Sequence, residues 1–445
     1  MIDYFFVSHY YLLMHYMFKT YKIYTLGCKV NQYDSSKVAR DLQALGLVEV
    51  TQNADLAIIN TCTVTHSALT KDRKMLEEAR RENPLAKYAI VGCMPVNYRE
   101  ETERLGVDYI YGAKDLDLFI EKIKAENGSV EVLNCDLKLP DFKTDKSRYF
   151  LKIQDGCQQF CSYCIIAYNR GKLSSRNKEE IIVEVKQVVE QGVAEIVLCG
   201  IHLGLYGYDV ESRKSKVESN LVTLIRELVE IPKLEKIRLS SIEITEVNDE
   251  LIELIKTNRK MVRHLHIPMQ AGCDKILKSM NRPYDKRYFA ERLAKLRAVA
   301  PEIAITTDVM VGFPGEKEAD FQETLRFCQE VKFSKIHVFP FSAHEKTPAY
   351  NFPDQQTEAV KKSRAKELQK ISDQLEKTYN ESFLGQEIEA IVDGRSKPSE
   401  GEAFLQGQGI YRAKSEYYFD IKFQSVEKLR VGQLVRVKDW ELLKG

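Results

Sequence analysis

Three closely spaced cysteines are the residues of this sequence whose types and spacing most clearly indicate chemistry. Cys157, Cys161 and Cys164 form a Cys-x3-Cys-x2-Cys triplet just after an apolar-alternating run at residues 149–153. A structural zinc site needs four ligands, and the stretch that follows, residues 165–171, supplies no Cys or His. Three thiolates with an open corner fit a [4Fe–4S] cluster whose fourth iron is left for another ligand. The alternative is three unrelated thiols in a loop.

Three more cysteines, Cys28, Cys62 and Cys93, each come after a predicted strand. The strands are predicted at residues 21–25, 56–60 and 88–91, with helices at residues 35–45 and 67–82 between them. Short apolar strands separated by helices indicate a parallel sheet, and the carboxyl ends of its strands lie on one edge. We therefore expect the three thiols to meet there as a second three-thiolate cluster site. The alternative is three small buried hydrophobes, which is how free cysteines usually behave.

A repeated strand–helix pattern begins at about residue 148. The strands are predicted at residues 149–153, 195–198, 236–239, 264–267, 304–311 and 335–339, and the helices at residues 178–191, 221–230, 249–257, 285–300 and 318–332. Six such units are too few for a closed eight-stranded barrel, so we expect an open partial (β/α)6 barrel. Chemistry in such barrels lies at the carboxyl ends of the strands, where the Cys157 triplet follows the first one.

The last part of the chain has a different pattern. A charged helix is predicted at residues 356–383, and from residue 385 onward short alternating strands are broken by glycine turns. This pattern predicts a small β-barrel. Four aromatic residues there are either barrel core or platforms on which nucleobases stack: Tyr411, Tyr417, Tyr418 and Phe419. Bases and acids are nearly balanced in this segment, so charge alone does not label it a nucleic-acid binder.

Composition excludes some classes of protein. The chain has 445 residues, 44% of them hydrophobic and 29% charged, with a formal net charge of +1, as in an ordinary soluble globular protein. Ten cysteines in this length are too sparse for a disulfide scaffold, which points to a reducing, cytoplasmic compartment. Residues 1–16 are aromatic-rich but too interrupted for a membrane span, and we interpret them as a dispensable extension.

These patterns divide the α/β chain into four segments. They are an extension of uncertain status at residues 1–20, a parallel α/β sheet domain at 21–140, a partial barrel at 145–380 and a small β-barrel at 383–445. Four cysteines without partners at ligand spacing are interpreted as structural thiols: Cys135, Cys199, Cys273 and Cys328. Three histidines on or after apolar strands are interpreted as core or rim residues rather than ligands: His202, His264 and His266.

With both cysteine sites identified, the chain resembles the radical S-adenosylmethionine (SAM) methylthiotransferases. The resemblance covers residues 21–444 and is carried by motifs at residues 25–35, 60–65, 155–171, 266–272 and 308–316. The tail resembles the TRAM domain, a β-barrel that binds substrate RNA in this family. Three departures from the family pattern leave every cluster ligand in place: Gln158, Ala167 and residues 342–348.

The resemblance implies a reaction on RNA. The open cluster at Cys157, Cys161 and Cys164 would reduce SAM to release a 5′-deoxyadenosyl radical, and a second [4Fe–4S] cluster at Cys28, Cys62 and Cys93 would hold the sulfur to be transferred. A second SAM would methylate that sulfur, so that C2–H of an adenine is replaced by C2–SCH3. Residues 26–32 and 200–204 look most like the branch that modifies N6-threonylcarbamoyladenosine next to the tRNA anticodon.

The resemblance also suggests residues that contact SAM. Gly200 and Gly204 follow the second barrel strand, where the amino group of SAM would lie, and Glu243 follows the third. Gly312 and Gly315 flank a tight loop after the fifth strand, where backbone could approach the ribose or adenine. The alternatives are a helix-entry cap for Glu243 and a plain turn for the last two glycines.

Rival functions remain open at this point. A similar barrel would suit methylthiolation of isopentenyladenosine in tRNA or of an aspartate in a ribosomal protein. Outside catalysis, the chain could be an RNA-binding module with two zinc sites, although neither triplet has a fourth ligand. The expected partners are a tRNA, an electron donor and a sulfur donor, with no membrane involved.

Overall fold

The computed structural model describes residues 17–62, 66–127, 147–209, 214–215, 220–396 and 409–443. Two features of the sequence analysis lie outside these described residues, namely the extension at residues 1–16 and Cys135. By its internal contacts the chain divides into two units, Met1–Pro140 and Asp141–Gly445. No helix in the described part of the chain is long and apolar enough to cross a membrane.

The first unit is a parallel five-stranded sheet with helices on its faces. Its strands are β1 (Thr20–Thr25), β2 (Val48–Glu49), β3 (Leu56–Thr61), β4 (Lys87–Gly92) and β5 (Tyr109–Gly112). Its helices are α1 (Lys29–Ala44), α2 (His66–Glu82), α3 (Met94–Asn97), α4 (Arg99–Arg104) and α5 (Leu116–Glu126). The strand order is β2-β1-β3-β4-β5, and every pairing is parallel.

The central strand shows why this unit reads as an apolar run in the sequence. All six residues of β3 are buried. Leu56 and Ile58 pack into the apolar cluster on one face, while Ala57 and Ile59 pack into the cluster on the other. Because successive side chains point to opposite faces, a strand covered on both sides must be apolar at every position.

Helix α1 differs from the prediction. It begins at Lys29, directly after Cys28, whereas the sequence pattern predicted a start at residue 35. Asn31 and Ser35 are polar but buried, because Asn31 donates to backbone carbonyls and the Ser35 hydroxyl accepts from Asn60. A pattern of apolar residues could not detect a helix whose first turns are buried through hydrogen bonds.

The second unit begins with the predicted six-stranded parallel barrel, which the structure confirms. Its main strands are β6 (Tyr149–Lys152), β9 (Glu195–Cys199), β12 (Lys236–Leu239), β13 (His264–His266), β14 (Ala304–Val311) and β15 (Lys335–Pro340). They pair as β12-β9-β6 and β13-β14-β15, all parallel. Parallel bridges between Ile237 and Met261 and between Ser241 and His266 join the two halves.

Short strands and helices complete the barrel. The short strands form two antiparallel pairs, β7 (Gln154–Asp155) with β8 (Ser174–Ser175) and β10 (Tyr208–Asp209) with β11 (Lys214–Ser215). The helices are α6 (Ile166–Arg170), α7 (Lys178–Glu190), α8 (Leu221–Leu228), α9 (Asp249–Thr257), α10 (Asp274–Ser279), α11 (Lys286–Val299), α12 (Glu318–Val331) and α13 (Glu358–Glu381). Side chains that cap the first turn fix the starts of five of them: Asn177, Asn220, Asn248, Asp285 and Thr357.

The chain ends in a five-stranded antiparallel sheet. The strands are β16 (Ile388–Arg395), β17 (Gly409–Ser415), β18 (Asp420–Ser425), β19 (Leu434–Val437) and β20 (Trp440–Leu442), in the order β19-β16-β17-β18-β20. Tyr411 and Phe419 are buried in its apolar core, against which Tyr417 packs. The contacts of these three aromatic residues therefore agree with the alternative that they belong to the core of this sheet and do not serve as stacking platforms.

The turn between β17 and β18 packs against the amino ends of the barrel strands. Tyr418 stacks on His264, the first residue of β13, with ring centroids 4.2 Å apart. Arg238 lies over the same ring, pairs with buried Glu195 and donates to the carbonyl of Ser415. Tyr418 therefore packs the C-terminal sheet against the face of the barrel formed by the amino ends of the strands. The cysteine loop lies on the opposite face, at the carboxyl ends.

Candidate metal centres

The Cys157 loop is closed at its base by a short antiparallel ladder and a buried ion pair. Strands β7 and β8 pair across it, and the Cys157 amide donates to the Gly171 carbonyl at 3.1 Å. At the base Arg170, which is 1% exposed, donates to Asp155 at 3.1 Å. These contacts hold both ends of the loop, so its three thiols are presented together beyond the end of β6.

All three thiols of the triplet line one cavity of about 180 Å³. The cavity also receives side chains that follow later barrel strands, namely His202, Ser241, Glu243, Gln270 and Arg282. It therefore lies at the carboxyl ends of the strands, where barrel enzymes place their chemistry.

Two polar side chains contact the cysteine sulfurs directly. Arg282 donates from Nη1 to the sulfur of Cys161 at 3.2 Å. Nδ1 of His202 lies 3.5 Å from the sulfur of Cys157, and its other ring nitrogen pairs with Glu246. Because hydrogen bonds to cluster sulfurs tune reduction potential, these groups stand where they would act on a bound cluster.

Burial and neighbouring charges shift the protonation of these groups. Burial raises the pKa of Cys164 to about 12 and also raises that of Cys161, where Arg282 opposes the effect. Burial alone would lower the pKa of His202, but its contacts with Cys157 and Glu246 raise it to about 10. A thiolate in this cavity therefore needs a positive partner, which iron would provide.

Glu243 faces the cavity and also precedes a short 3₁₀ turn. It lines the cavity and pairs with Arg282, and burial raises its pKa against the opposing effect of that guanidinium. It also occupies the position before the 3₁₀ turn Ile244–Glu246, where its amide donates to the Glu246 carboxylate at 3.3 Å. The cap alternative is thus correct for the backbone, while the side chain faces the cavity.

The glycines after the second barrel strand are closely packed. A Cβ on Gly204 would lie 2.0 Å from Oε2 of Glu246, the carboxylate that pairs with His202. A Cβ on Gly200 would lie 2.9 Å from the side-chain oxygen of Gln154. That oxygen accepts from the His202 amide at 2.7 Å, so both glycines leave room for the groups that position His202.

Gly312 and Gly315 do not line this cavity and have the contacts of a turn. Gly312 has a φ of +72°, and a Cβ there would lie 2.5 Å from the Lys361 side chain of α13. Its amide donates to buried Glu316 at 2.6 Å, and Arg364 of α13 binds the same carboxylate at 2.7 Å. The described contacts of Gly312 thus fix the start of α12 against α13.

The other three cysteines lie at neighbouring positions along the sheet edge of the first unit. Cys28 precedes α1, Cys62 follows β3, and Cys93 follows β4, while β1, β3 and β4 are adjacent strands. The expected placement at one carboxyl edge is therefore found. Gly27 has a φ of +99°, and a Cβ there would lie 2.7 Å from the Cys62 sulfur, so the first loop needs glycine to approach the second.

Hydrogen bonds fasten these loops to one another. Asn31 donates to the carbonyls of Leu26 and Thr61, both at 2.9 Å. The Thr61 hydroxyl donates to Val91 at 2.7 Å and accepts from the Met94 amide at 3.1 Å. Two buried side chains thus connect the ends of all three strands, so the edge is pre-arranged rather than assembled from independent loops.

A buried carboxyl group lies under Cys62. Oδ1 of Asp72 accepts from the Cys62 amide at 3.3 Å, whereas its other oxygen is buried and has no hydrogen-bond partner among the residues that the structure describes. Burial raises the pKa of Asp72 to about 7, an effect that the Cys62 amide opposes. Buried polar atoms without partners are rare, and this one lies beside a candidate ligand.

Comparison with known proteins assigns the family. Residues 151–328 match the model of the radical SAM superfamily, and residues 20–112 match that of the uncharacterized protein family UPF0004. The threonylcarbamoyladenosine tRNA methylthiotransferase MtaB of Bacillus subtilis (strain 168) is 38% identical over 94% of this chain and 93% of its own length. This chain belongs to the radical-SAM methylthiotransferase family.

Other methylthiotransferases are nearly as similar. The MtaB protein of Chlamydia pneumoniae is 36% identical over 94% of this chain and 95% of its own length. The tRNA-2-methylthio-N(6)-dimethylallyladenosine synthase of Acetivibrio thermocellus is 34% identical over 95% of this chain and 90% of its own. The family is therefore clear, while its branches lie close together in identity.

Solved structures share the fold. The radical S-adenosylmethionine methyltransferase TsrM of Kitasatospora setae, solved with cobalamin and a [4Fe–4S] cluster, matches with a TM-score of 0.54 and 13% identity over 75% of this chain and 77% of its own. The cobalamin-dependent radical enzyme OxsB matches with a TM-score of 0.50 and 12% identity over 81% of this chain and 56% of its own. At such identities the likeness concerns the fold alone.

Membership of the radical-SAM superfamily implies a [4Fe–4S] cluster and SAM, and the barrel cavity suits them chemically. Three thiols, a buried guanidinium and a carboxylate face one space. Across the described residues, no three His, Cys, Asp or Glu side chains converge as the ligands of a single metal ion would. The thiolates of a cluster bind different irons, so a cluster does not require such convergence.

Sequence reasoning missed the groups that surround the thiols. Arg282, Glu246 and Asp72 were not singled out, and Asn31 was noticed only within a motif. Arg282 and Asp72 contact Cys161 and Cys62 from other elements, Glu246 acts through His202, and Asn31 bonds to backbone carbonyls, so periodicity gave no signal for any of them. The alternation of strands and thiols did give a signal for the cysteines themselves.

Proposed function

We propose that this methylthiotransferase acts on tRNA and converts C2–H of N6-threonylcarbamoyladenosine next to the anticodon into C2–SCH3. Two [4Fe–4S] clusters and two molecules of SAM would take part. The observation that supports the proposal is the placement of two sets of three cysteines, each set at the carboxyl ends of parallel strands. The names of the MtaB relatives support the substrate.

The barrel site would carry out the radical step. Cys157, Cys161 and Cys164 would hold the first cluster and leave one iron for SAM. When bound, the cluster and SAM supply an electron and a 5′-deoxyadenosyl radical, which an unreactive purine carbon requires. Arg282 and Glu243 form a charged pair on the cavity wall, where they would orient the amino and carboxylate groups of SAM.

The sheet-edge site would supply sulfur. Cys28, Cys62 and Cys93 would hold the second cluster, whose chemistry is delivery of the sulfur atom. The second SAM would provide the methyl group by ordinary transfer. Asn31 would keep the strand ends together around that cluster, because it bonds to the ends of β1 and β3 at once.

The other assignments follow the same division. Residues 21–140 would form the sulfur-delivering domain, 145–380 the SAM-cleaving barrel and 383–445 the RNA-binding TRAM-like barrel. Gly200 and Gly204 would act on SAM through the His202 loop that they allow, while Gly312 and Gly315 would act only as a turn. Separate electron and sulfur donors would act on the enzyme in a reducing cytoplasm.

Nucleoside mass spectrometry of bulk tRNA tests substrate and reaction together. Cells that lack this protein should lose 2-methylthio-N6-threonylcarbamoyladenosine and regain it when the gene is restored, but not when Cys157, Cys161 and Cys164 are changed to Ala. Loss of the 2-methylthio derivative of dimethylallyladenosine instead would assign the branch of the Acetivibrio relative. An unchanged nucleoside profile would contradict the tRNA proposal.

The zinc alternative has its own test. Protein reconstituted with iron and sulfide under anaerobic conditions should bind iron and acid-labile sulfide in equal amounts and absorb broadly near ~400 nm, as thiolate-bound clusters do. Stoichiometric zinc without sulfide in protein purified from cells would favour an RNA-binding module and remove the enzymatic proposal.

A further inference from the structure

Two aromatic rings beside the cysteine loop are exposed to solvent and contact each other. Phe160 lies within the loop and is 47% exposed, and Tyr168 lies on α6 and is 46% exposed. Their ring centroids are 5.9 Å apart with planes at 76°, an edge-to-face contact. Single exposed apolar residues are common on proteins, but a contacting aromatic pair at the edge of a reaction site needs a reason.

The backbone of Phe160 adopts a conformation that bulky residues avoid. Its φ is +49°, in the left-handed region, and Asn281, with a φ of +58°, donates from its side chain to the Phe160 carbonyl at 3.1 Å. Strain of this kind persists only where surrounding contacts impose it, and it concentrates at functional sites. The conformation keeps the ring on the outside of a loop whose thiols face inward.

The aromatic pair adjoins the cavity rather than a remote surface. Gln159 and Cys161, the sequence neighbours of Phe160, both line the cavity. Ser162 fixes the loop further, since its amide donates to Met280 at 3.1 Å and its carbonyl accepts from Ala349 at 2.8 Å. Phe160 is therefore flanked on both sides by residues of the cavity wall, and Tyr168 lies two residues after Ile166, which also lines it.

Charged residues of both signs lie on the segments that bond to the cysteine loop. Lys172, Lys278 and Lys346 are exposed on segments next to residues that bond to the cysteine loop. Exposed acids such as Asp274 and Glu345 lie on the same segments. The local field is therefore modest, and ring contacts must supply much of the affinity for a polyanion that binds here.

We propose that Phe160 and Tyr168 form a stacking platform for an unpaired nucleobase adjacent to the adenosine under modification. The inference rests on the proposed function, because only an RNA substrate would bring such a base to this cavity. A target base must be turned out of its stack to enter a reaction site, and aromatic side chains hold the neighbouring bases that it leaves. Stacking requires a ring but no specific base.

Binding of an anticodon stem-loop RNA to reconstituted protein tests the platform. Tyr168→Leu and Phe160→Leu should each raise the dissociation constant roughly tenfold, because each removes a ring. Fluorescence anisotropy measures this change. The matched controls Tyr168→Phe and Phe160→Tyr keep a ring and should stay within about twofold of the unchanged protein. Val183→Ala, a change at another exposed apolar residue, should have no effect.

A second RNA identifies the contact. An abasic nucleotide on each side of the target adenosine should weaken binding to the unchanged protein and abolish the difference between the Leu and ring-retaining variants. Equal affinity of Tyr168→Leu and the unchanged protein, with iron content unchanged, overturns the platform. An equal loss on the abasic RNA also overturns it, because the ring would then act on something other than a base.

Failure of the stacking platform can be distinguished from failure of the proposed function. Phe160 lies between two candidate ligands, so iron is measured for each variant, and Tyr168→Leu decides the result if Phe160→Leu loses iron. Unchanged RNA binding in the Leu variants while tRNA is still methylthiolated removes the platform only. Absence of methylthiolated nucleoside with the unchanged protein removes the proposed function instead.

Discussion

The two cysteine sites are built in opposite ways. Cys157, Cys161 and Cys164 come from one short loop, which a two-residue ladder and the Asp155–Arg170 pair close at its base. The thiols of the other site come from the ends of three strands that are far apart in sequence. The first site depends mainly on a local loop and the second on the correct assembly of a whole sheet.

The two sites also differ in the charge of the groups that surround their thiols. The barrel thiols line a defined cavity with a guanidinium and an imidazole at their sulfurs. At the sheet edge, neutral hydrogen bonds from Asn31 and Thr61 join the strand ends that carry the thiols, and the acidic group of Asp72 contacts the Cys62 amide. The proposed radical site thus has charged groups at its sulfurs, whereas the site proposed to deliver sulfur has mainly a frame of neutral hydrogen bonds.

The largest effect is expected when the three cysteines of the barrel loop are removed, because this change distinguishes the two sites. Cys157, Cys161 and Cys164 changed to Ala should abolish SAM cleavage to 5′-deoxyadenosine and lower bound iron from about eight to about four per chain. Chromatography of the SAM products and an iron assay measure both. The matched control changes the buried thiols Cys199, Cys273 and Cys328 to Ala and should keep the iron. A triple variant that still cleaves SAM would place the radical step elsewhere.

Removal of the three sheet-edge cysteines should leave SAM cleavage intact and abolish methylthiolation. With Cys28, Cys62 and Cys93 changed to Ala, 5′-deoxyadenosine should still form under reducing conditions, while the methylthiolated nucleoside disappears from the product tRNA. The two products are measured in one reaction by mass spectrometry. If SAM cleavage also ceases while about four irons remain bound, the proposed division of roles is wrong.

An intermediate effect is expected from the guanidinium at Cys161. Arg282→Gln should lower the rate of SAM cleavage by roughly 10- to 100-fold and shift the midpoint potential of the barrel cluster to more negative values, since it removes a donor to a ligand sulfur. Electron paramagnetic resonance during a redox titration measures the shift. Arg292→Gln, at an arginine that binds the Val247 carbonyl, is the control and should change neither quantity.

The smallest effect should appear at the frame of the second site. Asn31→Ala removes bonds to the Leu26 and Thr61 carbonyls and should lower the free energy of unfolding of the intact chain by about 1–3 kcal/mol. It should also reduce methylthiolation while SAM cleavage continues. Denaturant unfolding and product analysis measure the two effects. Asn177→Ala, which removes only a helix cap, should cost about 1 kcal/mol without changing the product ratio.

Features with local causes could be predicted from the sequence. The six barrel strands follow apolar runs and carry the cysteine triplet after the first strand, as predicted. The start of α1 was wrong by several residues, because its first turns are polar and buried. The partners of the thiols were missed for a related reason, since Arg282 reaches Cys161 across more than a hundred positions of sequence.

The sequence by itself determined the thiols, their spacing, the alternation of strands and helices, and through them the family. These features depend on residue type and on periodicity, which a linear chain records directly. Only the tertiary structure decided which charged groups face the thiols, that Tyr418 binds the barrel, and that Phe160 and Tyr168 remain exposed beside the cavity. Such contacts join residues from separate elements, and their energies depend on distances that no local pattern encodes.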